Sequence, residues 1–337
     1  MKKVLIDLNH PVDVNFFKNA IKILINSGIN IDVIYRDRGK LKDISIFELP
    51  VKPIKKGKHY NSFLTKIFGQ LRRDFNLYFL FKEKKYDIIA CFGSTSVISA
   101  WMSGTPFLAF DDDFEYKIPF YHANLFATRH IYPDFISYER KNVVKYHGYK
   151  ELAYLHPKYF KPNLKIIQDL DLLENDYIFI RHISNISLNY KDANDSLLQI
   201  LNNLKVKKLK VILSIEDKSL INSISSEILV LNEPLTDIYS LMYYALMCIS
   251  YGDTVARECS LLGVPTVYVG GRNMSMHNEL IGTGVMMVTK EMSDINRILV
   301  SDLVSRKNNC RSIISQKIDE EWCDTTELIL SQINNFL

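Results

Sequence analysis

A short stretch near residue 250 combines residue types that can hold a nucleotide. An apolar run, 245–250, leads into Gly252, Asp253 and Thr254, and the pattern then becomes helical without a long loop. The first turn of a helix presents unpaired backbone N–H groups and the positive end of the helix dipole, so this turn can bind a phosphate. Glu258 follows Thr254 by one helical turn, where a carboxylate can accept hydrogen bonds from two ribose hydroxyls.

The same stretch ends in a second glycine-rich loop. Gly263 and a following proline stop the predicted helix, residues 266–269 read as a strand, and Gly271 and Arg272 come directly after it. We expect this loop to approach the ligand beside the first turn. The alternative is an ordinary strand–helix–strand crossover with a solvated glutamate, and the pattern matches no Walker or dinucleotide fingerprint.

The N-terminal residues predict a second edge of this kind. Residues 3–8 read as a strand, a loop carries His10 and Asp13, and a helix and the strand 31–35 follow. Ligands of such βαβ units gather at the carboxyl ends of the strands. His10 is therefore a candidate general base, because histidine titrates near neutrality, with capping of the helix as the alternative. Asp13 is predicted to line the same site.

Residues 86–110 repeat the order found at 245–269. A strand at 86–92 is followed by a small-residue turn containing Ser94 and Thr95, then a helix, a Gly-x-Pro stop and another strand. The two halves therefore predict two Rossmann-like domains with parallel sheets, facing each other across a shared cleft. Ser94 and Thr95 are expected to line the acceptor side of that cleft.

Three carboxylates follow the strand that ends at residue 110. Asp111, Asp112 and Asp113 are close enough to raise one another's pKa or to attract a cation. Such triplets are common in exposed turns, so we expect Asp111 or Asp113 to act as a general base and Asp112 to contact the acceptor, without a bound metal. Arg181, at the end of a predicted strand, is a candidate diphosphate ligand, with a structural salt bridge as the alternative.

Composition bounds the class of protein. With 337 residues, 47% hydrophobic and 24% charged, the chain is long enough for two globular domains. No apolar run is long enough to span a membrane and no signal peptide is evident, so a cytoplasmic protein is expected, with the inner face of the membrane as a peripheral site. Five scattered cysteines favour free thiols over disulfides or a zinc site.

The positive charge is concentrated in one segment. Residues 52–85 contain eight lysines and two arginines against two acidic residues, interleaved with aromatic residues at mostly helical spacing. An amphipathic helix on an anionic membrane is one interpretation, and a helix packed on the sheet with a solvated lysine face is the other. We expect no nucleic-acid partner, since no nucleic-acid-binding module accompanies the patch.

Taken together, these motifs resemble a known family, catalogued as domain of unknown function 354. Its relatives are glycosyltransferases of the GT-B fold and non-hydrolysing UDP-N-acetylglucosamine 2-epimerases. The resemblance is carried by segments 7–18, 93–96, 111–115 and 146–150, together with Phe179–Arg181 and Gly252–Gly263. It implies a nucleotide-sugar ligand and no cofactor. Epimerases of this fold carry an acidic residue where Ser94 stands, which weakens an epimerase assignment.

The expected architecture and function follow from these motifs and the resemblance. The N-terminal acceptor domain is expected at 1–160, the donor domain at 161–317, and a C-terminal helix at 318–337 packs back on the first. The expected function is transfer of a sugar from a nucleotide-diphosphate-sugar donor to a glycan or lipid-linked acceptor in cell-surface glycan biosynthesis. A nucleotide-sugar 2-epimerase and a non-catalytic nucleotide-sugar-binding subunit remain the alternatives.

Overall fold

The structure is a computed structural model that describes residues 2–38, 41–58, 62–115, 117–183, 193–206, 209–216, 218–231 and 237–337. The chain divides into two units, each built on its own parallel sheet. The first unit contains Met1–Tyr159 and Glu321–Leu337, and the second contains Phe160–Glu320.

Seven parallel strands form the sheet of the first unit, in the order β3-β2-β1-β4-β5-β6-β7. They are β1 (Lys3–Leu8), β2 (Asn30–Asp37), β3 (Ile54–Lys58), β4 (Ile88–Phe92), β5 (Phe107–Phe110), β6 (Arg129–Pro133) and β7 (Val143–Tyr146). The helices that connect them are α1 (Pro11–Asn26), α2 (Leu41–Glu48), α3 (Phe63–Lys84), α4 (Val97–Ser103) and α5 (Lys117–Phe126), and α6 (Leu152–Leu155) follows the last strand. The central strands are apolar along their length because helices cover the sheet.

Six parallel strands form the second sheet, in the order β10-β9-β8-β11-β12-β13. They are β8 (Tyr177–His182), β9 (Lys210–Ile215), β10 (Leu229–Val230), β11 (Met247–Ser250), β12 (Thr266–Tyr268) and β13 (Met286–Val288). The helices are α7 (Lys165–Gln168), α8 (Ala193–Val206), α9 (Ile238–Tyr244), α10 (Asp253–Leu261), α11 (His277–Gly282), α12 (Met292–Leu299) and α13 (Leu303–Glu320). The last helix, α14 (Thr325–Asn334), belongs to the first unit and packs against α1 and α6.

The two sheets have the same strand order, and this confirms the predicted α/β class with two Rossmann-like sheets. In each, the order reverses between the first strand and the fourth, at β1/β4 and at β8/β11. Ligands of open parallel sheets bind outside the carboxyl ends of the strands at such a reversal. The turns that carry the predicted site residues are located at these two edges.

Two of the differences between predicted and observed element boundaries change the position of a predicted site residue. Helix α1 begins at Pro11, so Asp13 lies in its first turn rather than in a loop. A proline suits the first helical position because its missing N–H is not needed there. Strand β8 continues to His182, so Arg181 lies within the strand and is paired in register with Ser250.

Helix α3 covers most of the basic segment 52–85, of which residues 59–61 lie outside the described residues. Its inner face buries Leu77 and Phe81 in the core of the first unit, as the interpretation of a helix packed on the sheet requires. Its outer face, however, is partly apolar, not only charged. Among the described residues, no helix combines the length and apolar character needed to cross a bilayer.

Candidate functional site

In the second unit, the turn after β11 opens directly into α10. Gly252 is the N-cap and has no side chain to accept the N–H groups of the first helical turn. The Ser250 hydroxyl fixes the turn, since it donates to the Gly252 carbonyl at 2.7 Å and accepts the Gly252 N–H at 3.2 Å. Thr254 and Val255 are half-buried at the open end of the helix. This geometry suits an anion, because the N–H groups at the start of a helix and the helix dipole act together.

Asp253 turns towards two arginines instead of capping the helix. Its Oδ2 lies 3.2 Å from Arg272 and 3.6 Å from Arg257, so one carboxylate is shared between two guanidinium groups. The group of three residues therefore carries a net positive charge. The repulsion that an isolated aspartate would exert on a phosphate is removed by this arrangement.

Arg257 is itself fixed from the opposite side. It is 2% exposed, and its guanidinium donates to His277 Nε2 at 3.4 Å. Burial, followed by the positive charge of Arg257, lowers the pKa of His277 to about 4. His277 is consequently neutral at physiological pH and able to accept this hydrogen bond. Arg257 therefore connects Asp253, in the first turn of α10, with His277, at the start of α11.

Glu258 lies one helical turn after Thr254 and is 5% exposed. The Tyr239 hydroxyl, from α9, donates to its Oε1 at 3.3 Å. A buried carboxylate is costly unless it is hydrogen-bonded, so this contact explains how Glu258 is retained in the interior. Tyr239 was not recognised in the sequence as a site residue.

The loop of Gly271 and Arg272 is supported by Tyr268 at the end of β12. A Cβ atom on Gly270 would lie 2.3–2.4 Å from the end of the Tyr268 ring, so only glycine fits there. The Tyr268 hydroxyl accepts the Arg272 N–H at 3.4 Å, and its ring packs edge-on against His277. The second glycine loop is therefore located beside the first turn of α10, as the spacing predicted.

The side chain of Arg181 is bonded to residues in and directly after the neighbouring strand β9. Its guanidinium donates to the Ser214 hydroxyl and forms an ion pair with Glu216, which follows β9. This is the structural salt bridge that was the alternative to diphosphate binding. A role for Arg181 in binding an anion stays a prediction. It requires that the ligand displace the Glu216 carboxylate as the ion-pair partner of Arg181.

In the first unit, His10 and Asp13 cap α1 together. His10 Nδ1 accepts the Val12 N–H at 3.3 Å, while Asp13 Oδ2 accepts the N–H groups of Asn9 at 2.7 Å and His10 at 2.9 Å. This is a capping box in which histidine takes the place of the usual hydroxyl residue. Burial raises the pKa of Asp13 to about 7, although the hydrogen bonds from the two N–H groups act in the opposite direction and lower it.

The electrostatic state of His10 favours its neutral form. Partial burial, followed by the charges of Arg38 and Lys150, lowers the pKa of His10 below its ordinary value, although the residue as a whole stays exposed. Because Nδ1 accepts a backbone N–H, the neutral ring carries its proton on Nε2. In this arrangement His10 presents a hydrogen-bond donor to its surroundings.

The turn after β4 is held from below by a buried ion pair. Asp7 and Arg73 are both almost completely buried and lie 2.6 Å apart. The Ser96 hydroxyl donates to Asp7 at 2.6 Å, and the Thr95 hydroxyl lies 3.4 Å from the same carboxylate. Thr95 is therefore tied to the sheet, whereas Ser94 is half-buried at the edge.

The aspartates after β5 have different partners. Asp111 Oδ1 accepts the N–H groups of Asp112 and Asp113, and its Oδ2 lies 3.6 Å from the buried His130. Asp112 forms a 2.6 Å ion pair with Lys150, which also lies over the Phe92 ring. Asp113 Oδ1 accepts the N–H of Glu115 at 2.8 Å, so each of the three carboxylates has a different partner in the turn.

Lys150 is the residue of this edge that sequence reasoning passed over. It binds Asp112 after β5, and its charge acts on both His10 and Asp13 after β1. The only signal was its place at the end of the 146–150 motif. A single lysine thus links two of the three turns that carry the predicted residues.

The family model of the protein family of unknown function DUF354 matches residues 134–337, which is more than half of the chain. The chain belongs to the DUF354 family. The matched region includes the whole second unit and therefore the α10 site. No curated protein matches the chain in sequence.

Solved structures resemble this DUF354 protein over nearly its whole length. A Listeria monocytogenes protein named as a UDP-N-acetylglucosamine 2-epimerase is 12% identical, with a TM-score of 0.75 over 99% of this chain and 96% of that one. The UDP-GlcNAc 2-epimerase of Methanocaldococcus jannaschii, in complex with UDP-GlcNAc and UDP, is 12% identical, with a TM-score of 0.69 and 99% of each chain covered. MurG of Acinetobacter baumannii is 14% identical, with a TM-score of 0.62 over 99% of this chain and 100% of that one. At these identities the likeness concerns the fold, which is GT-B, as predicted.

Proposed function

We propose that the protein is a GT-B-type glycosyltransferase that moves a sugar from a nucleotide-diphosphate donor to an acceptor in cell-surface glycan assembly. The observation that carries the proposal is the open first turn of α10, with Asp253 neutralised by two arginines and Glu258 one turn further on. Proteins of this fold support a nucleotide ligand, since one epimerase is a complex with UDP-GlcNAc and UDP and another structure is a MnaA–UDP complex. MurG, which shares the fold, is a glycosyltransferase.

The second unit binds the donor. The diphosphate lies at the turn Gly252 to Thr254 and accepts hydrogen bonds from the helical N–H groups that follow Gly252, whose own N–H is held by the Ser250 hydroxyl. The backbone at Gly271 approaches it from the second loop. Arg272 supplies a positive charge beside it, and Glu258 accepts hydrogen bonds from the ribose hydroxyls. The helix dipole and the arginine stabilise the charge that develops on the leaving diphosphate, so the mechanism requires no metal ion.

The first unit deprotonates the acceptor hydroxyl. A general base needs an unprotonated acceptor atom within hydrogen-bond reach of the proton that it removes. In its capping arrangement His10 presents an N–H instead, whereas a carboxylate accepts at each of its lone pairs. Asp111 or Asp113 is therefore the better base, and His10, together with Ser94 and Asp112, orients the acceptor.

Two sets of variants test whether the second unit binds the donor and the first unit deprotonates the acceptor. Glu258→Gln keeps the shape of the side chain but removes the charge, and we expect donor binding to weaken by about 10- to 100-fold, as for a lost charged hydrogen bond. Asp111→Asn, Asp113→Asn and His10→Ala should keep donor binding in calorimetry, and the variant of the true base should lose turnover. The exposed Glu291→Gln, in the same unit, is the control. Normal turnover in the Glu258 variant and in all three edge variants rejects the assignment.

The donor can be found before any acceptor is known. A ligand that binds only the folded state raises its apparent stability. We expect a nucleoside-diphosphate sugar from a panel to raise the thermal midpoint of the wild-type protein, and to raise it much less in Glu258→Gln. A panel in which no nucleotide sugar stabilises the protein contradicts the proposed site.

A nucleotide-sugar 2-epimerase is the second candidate, favoured by the similarity of the fold to several enzymes of that name. An epimerase needs no acceptor. Incubation of the protein with its nucleotide sugar alone, followed by NMR of the sugar, distinguishes the two, since only the epimerase produces a second isomer. Donor binding without transfer or epimerisation, together with capture of a partner enzyme, identifies the non-catalytic subunit instead.

The acceptor in this proposal is a glycan or a lipid-linked saccharide. A lipid-linked acceptor is presented at a membrane surface, and the basic segment 52–85 provides the positive charge that anionic membranes attract. Contact between that segment and the membrane is accordingly part of the proposal.

A further inference from the structure

A groove in the first unit lies between the edge strand β3 and helix α3. It has a volume of about 680 Å³ and is lined by nine residues, which include Lys55, Lys56, Gly57, Lys58, Arg72 and Arg73. No acidic residue is among them. Arg73 also supports the turn after β4 through its ion pair with Asp7, but the other lining residues take part in no site described above.

The positive charges of the groove fall into two groups. Arg73 is ion-paired with Asp7, and Lys55 is ion-paired with Asp37, so these two charges are already balanced. Within the described part of the chain, no ion pair involves Lys56, Lys58 or Arg72. The groove therefore retains about three uncompensated positive charges.

The floor of the groove is fixed. Arg73 Nε donates to the Lys56 carbonyl at 2.7 Å and so ties α3 to β3. Gly57 has φ +112°, and a Cβ atom there would lie 3.0 Å from Arg73 Cδ. The missing side chain makes room for the Arg73 side chain, which packs against the strand at this position.

An apolar stripe runs along the outer face of α3, next to the groove. Its members are Phe68, Leu71, Phe75 and Phe79, which are 70%, 60%, 65% and 52% exposed. Their spacing of three or four residues places them on one side of the helix. The Phe75 and Phe79 rings are in contact, with centroids 4.8 Å apart. Arg72 follows Leu71 by one position and hence lies between the stripe and the groove.

We propose that the groove binds the phosphate of an anionic lipid while the apolar stripe of α3 contacts its acyl region. Arginine and lysine side chains are the usual protein ligands of a phosphate, and a row of large exposed apolar residues marks a surface that is covered in use. A lipid is the occupant that carries both chemistries on one molecule. The site does not depend on the proposed transferase reaction, and it extends the predicted membrane contact to a phosphate-binding groove.

The test compares two triple variants with equal loss of charge. Lys56→Gln/Lys58→Gln/Arg72→Gln empties the groove of its uncompensated charge, and Lys22→Gln/Lys117→Gln/Lys141→Gln removes three exposed lysines elsewhere on the same unit. Binding of the full chain is measured with phosphatidylcholine vesicles that contain or lack phosphatidic acid. We expect the groove variant to bind the acidic vesicles about 100-fold more weakly, from about 1 kcal/mol for each basic residue near the surface.

The control variant should stay within about threefold of the wild type, because screened charges act only over about 10 Å. Phe75→Ser/Phe79→Ser should lose vesicle binding but keep binding of glycerol phosphate, which separates the lipid from a free phosphate ester. Unchanged circular dichroism of each variant excludes misfolding.

Three results overturn the proposal: equal losses in the two triple variants, equal binding to vesicles without phosphatidic acid, or normal vesicle binding by the double serine variant. A fourth result also overturns it: an RNA homopolymer that displaces the vesicles by binding to the same three groove residues. That result would identify a general site for polyanions. Nucleotide-sugar binding is measured in parallel, and we expect it to be unchanged in the groove variant, so that failure of this proposal is distinguished from failure of the proposed function.

Discussion

Replacement of Asp13 by asparagine removes a buried carboxylate whose protonation is coupled to folding. Asp13 is 3% exposed, and its Oδ2 accepts two backbone N–H groups at the start of α1. Asparagine has nearly the same shape and keeps one oxygen for these bonds, but it cannot ionise. The variant therefore changes the charge at this position with little change in packing.

The size and sign of the effect follow from the pKa of Asp13. Burial raises it to about 7 in the folded protein, against 3.8 for the reference carboxyl. Below pH 4 both the folded and unfolded states hold the proton. Between pH 4 and pH 7 only the folded state holds it, so the free energy of unfolding falls as the pH rises. The two pKa values differ by about three, and each pKa unit corresponds to about 1.4 kcal/mol, so ionisation costs the folded state about 4 kcal/mol above pH 7.

Urea titrations of the wild type and Asp13→Asn between pH 4 and pH 8 measure this cost. We expect the stability of the variant relative to the wild type to increase by about 4 kcal/mol across that range, in the transition that reports the first unit. The exposed Asp43→Asn, in the first turn of α2, is the matched control and should run parallel to the wild type. A difference between Asp13→Asn and the wild type that is constant with pH refutes the reasoning, since it would mean that Asp13 is ionised throughout.

Three further predictions concern single contacts. Gly270→Ala should destabilise the second unit by about 1–3 kcal/mol in denaturant titration, because the new Cβ overlaps a buried tyrosine ring. Gly282→Ala is the control and should have a small effect, because a Cβ at that position meets nothing within 4 Å. Arg73→Met should cost the first unit about 3–5 kcal/mol, because it leaves a buried aspartate without its partner; a loss below 1 kcal/mol in thermal or urea unfolding would contradict this. Tyr239→Phe should weaken donor binding by about 3- to 10-fold in calorimetry and cost the second unit about 1–3 kcal/mol of stability, because a buried carboxylate loses a hydrogen bond. Unchanged affinity would show that this hydrogen bond does not orient the glutamate for the donor.

Local sequence patterns determined most of the architecture. The apolar run 245–250, the glycine turn and the helix stop at Gly263 predicted β11 and α10 because each signal acts within a few residues. The same order at 86–110 predicted β4, α4 and β5 of the first unit. The spacing of Gly252, Thr254 and Glu258 also defined a candidate site, since a helical turn fixes which residues share a face.

The partners of the charged residues were decided only by the tertiary structure. Asp7 and Arg73 are 66 positions apart, and Lys150 reaches an aspartate in the turn after β5. Nothing in the chain near Asp253 indicates that Arg272 would neutralise it, since that contact depends on the packing of β12 beside β11. Local propensity acts through neighbouring residues, whereas ion pairs depend on strand order, register and burial. The sequence by itself therefore determined the two sheets and their turns, and the folded structure decided which charges those turns retain.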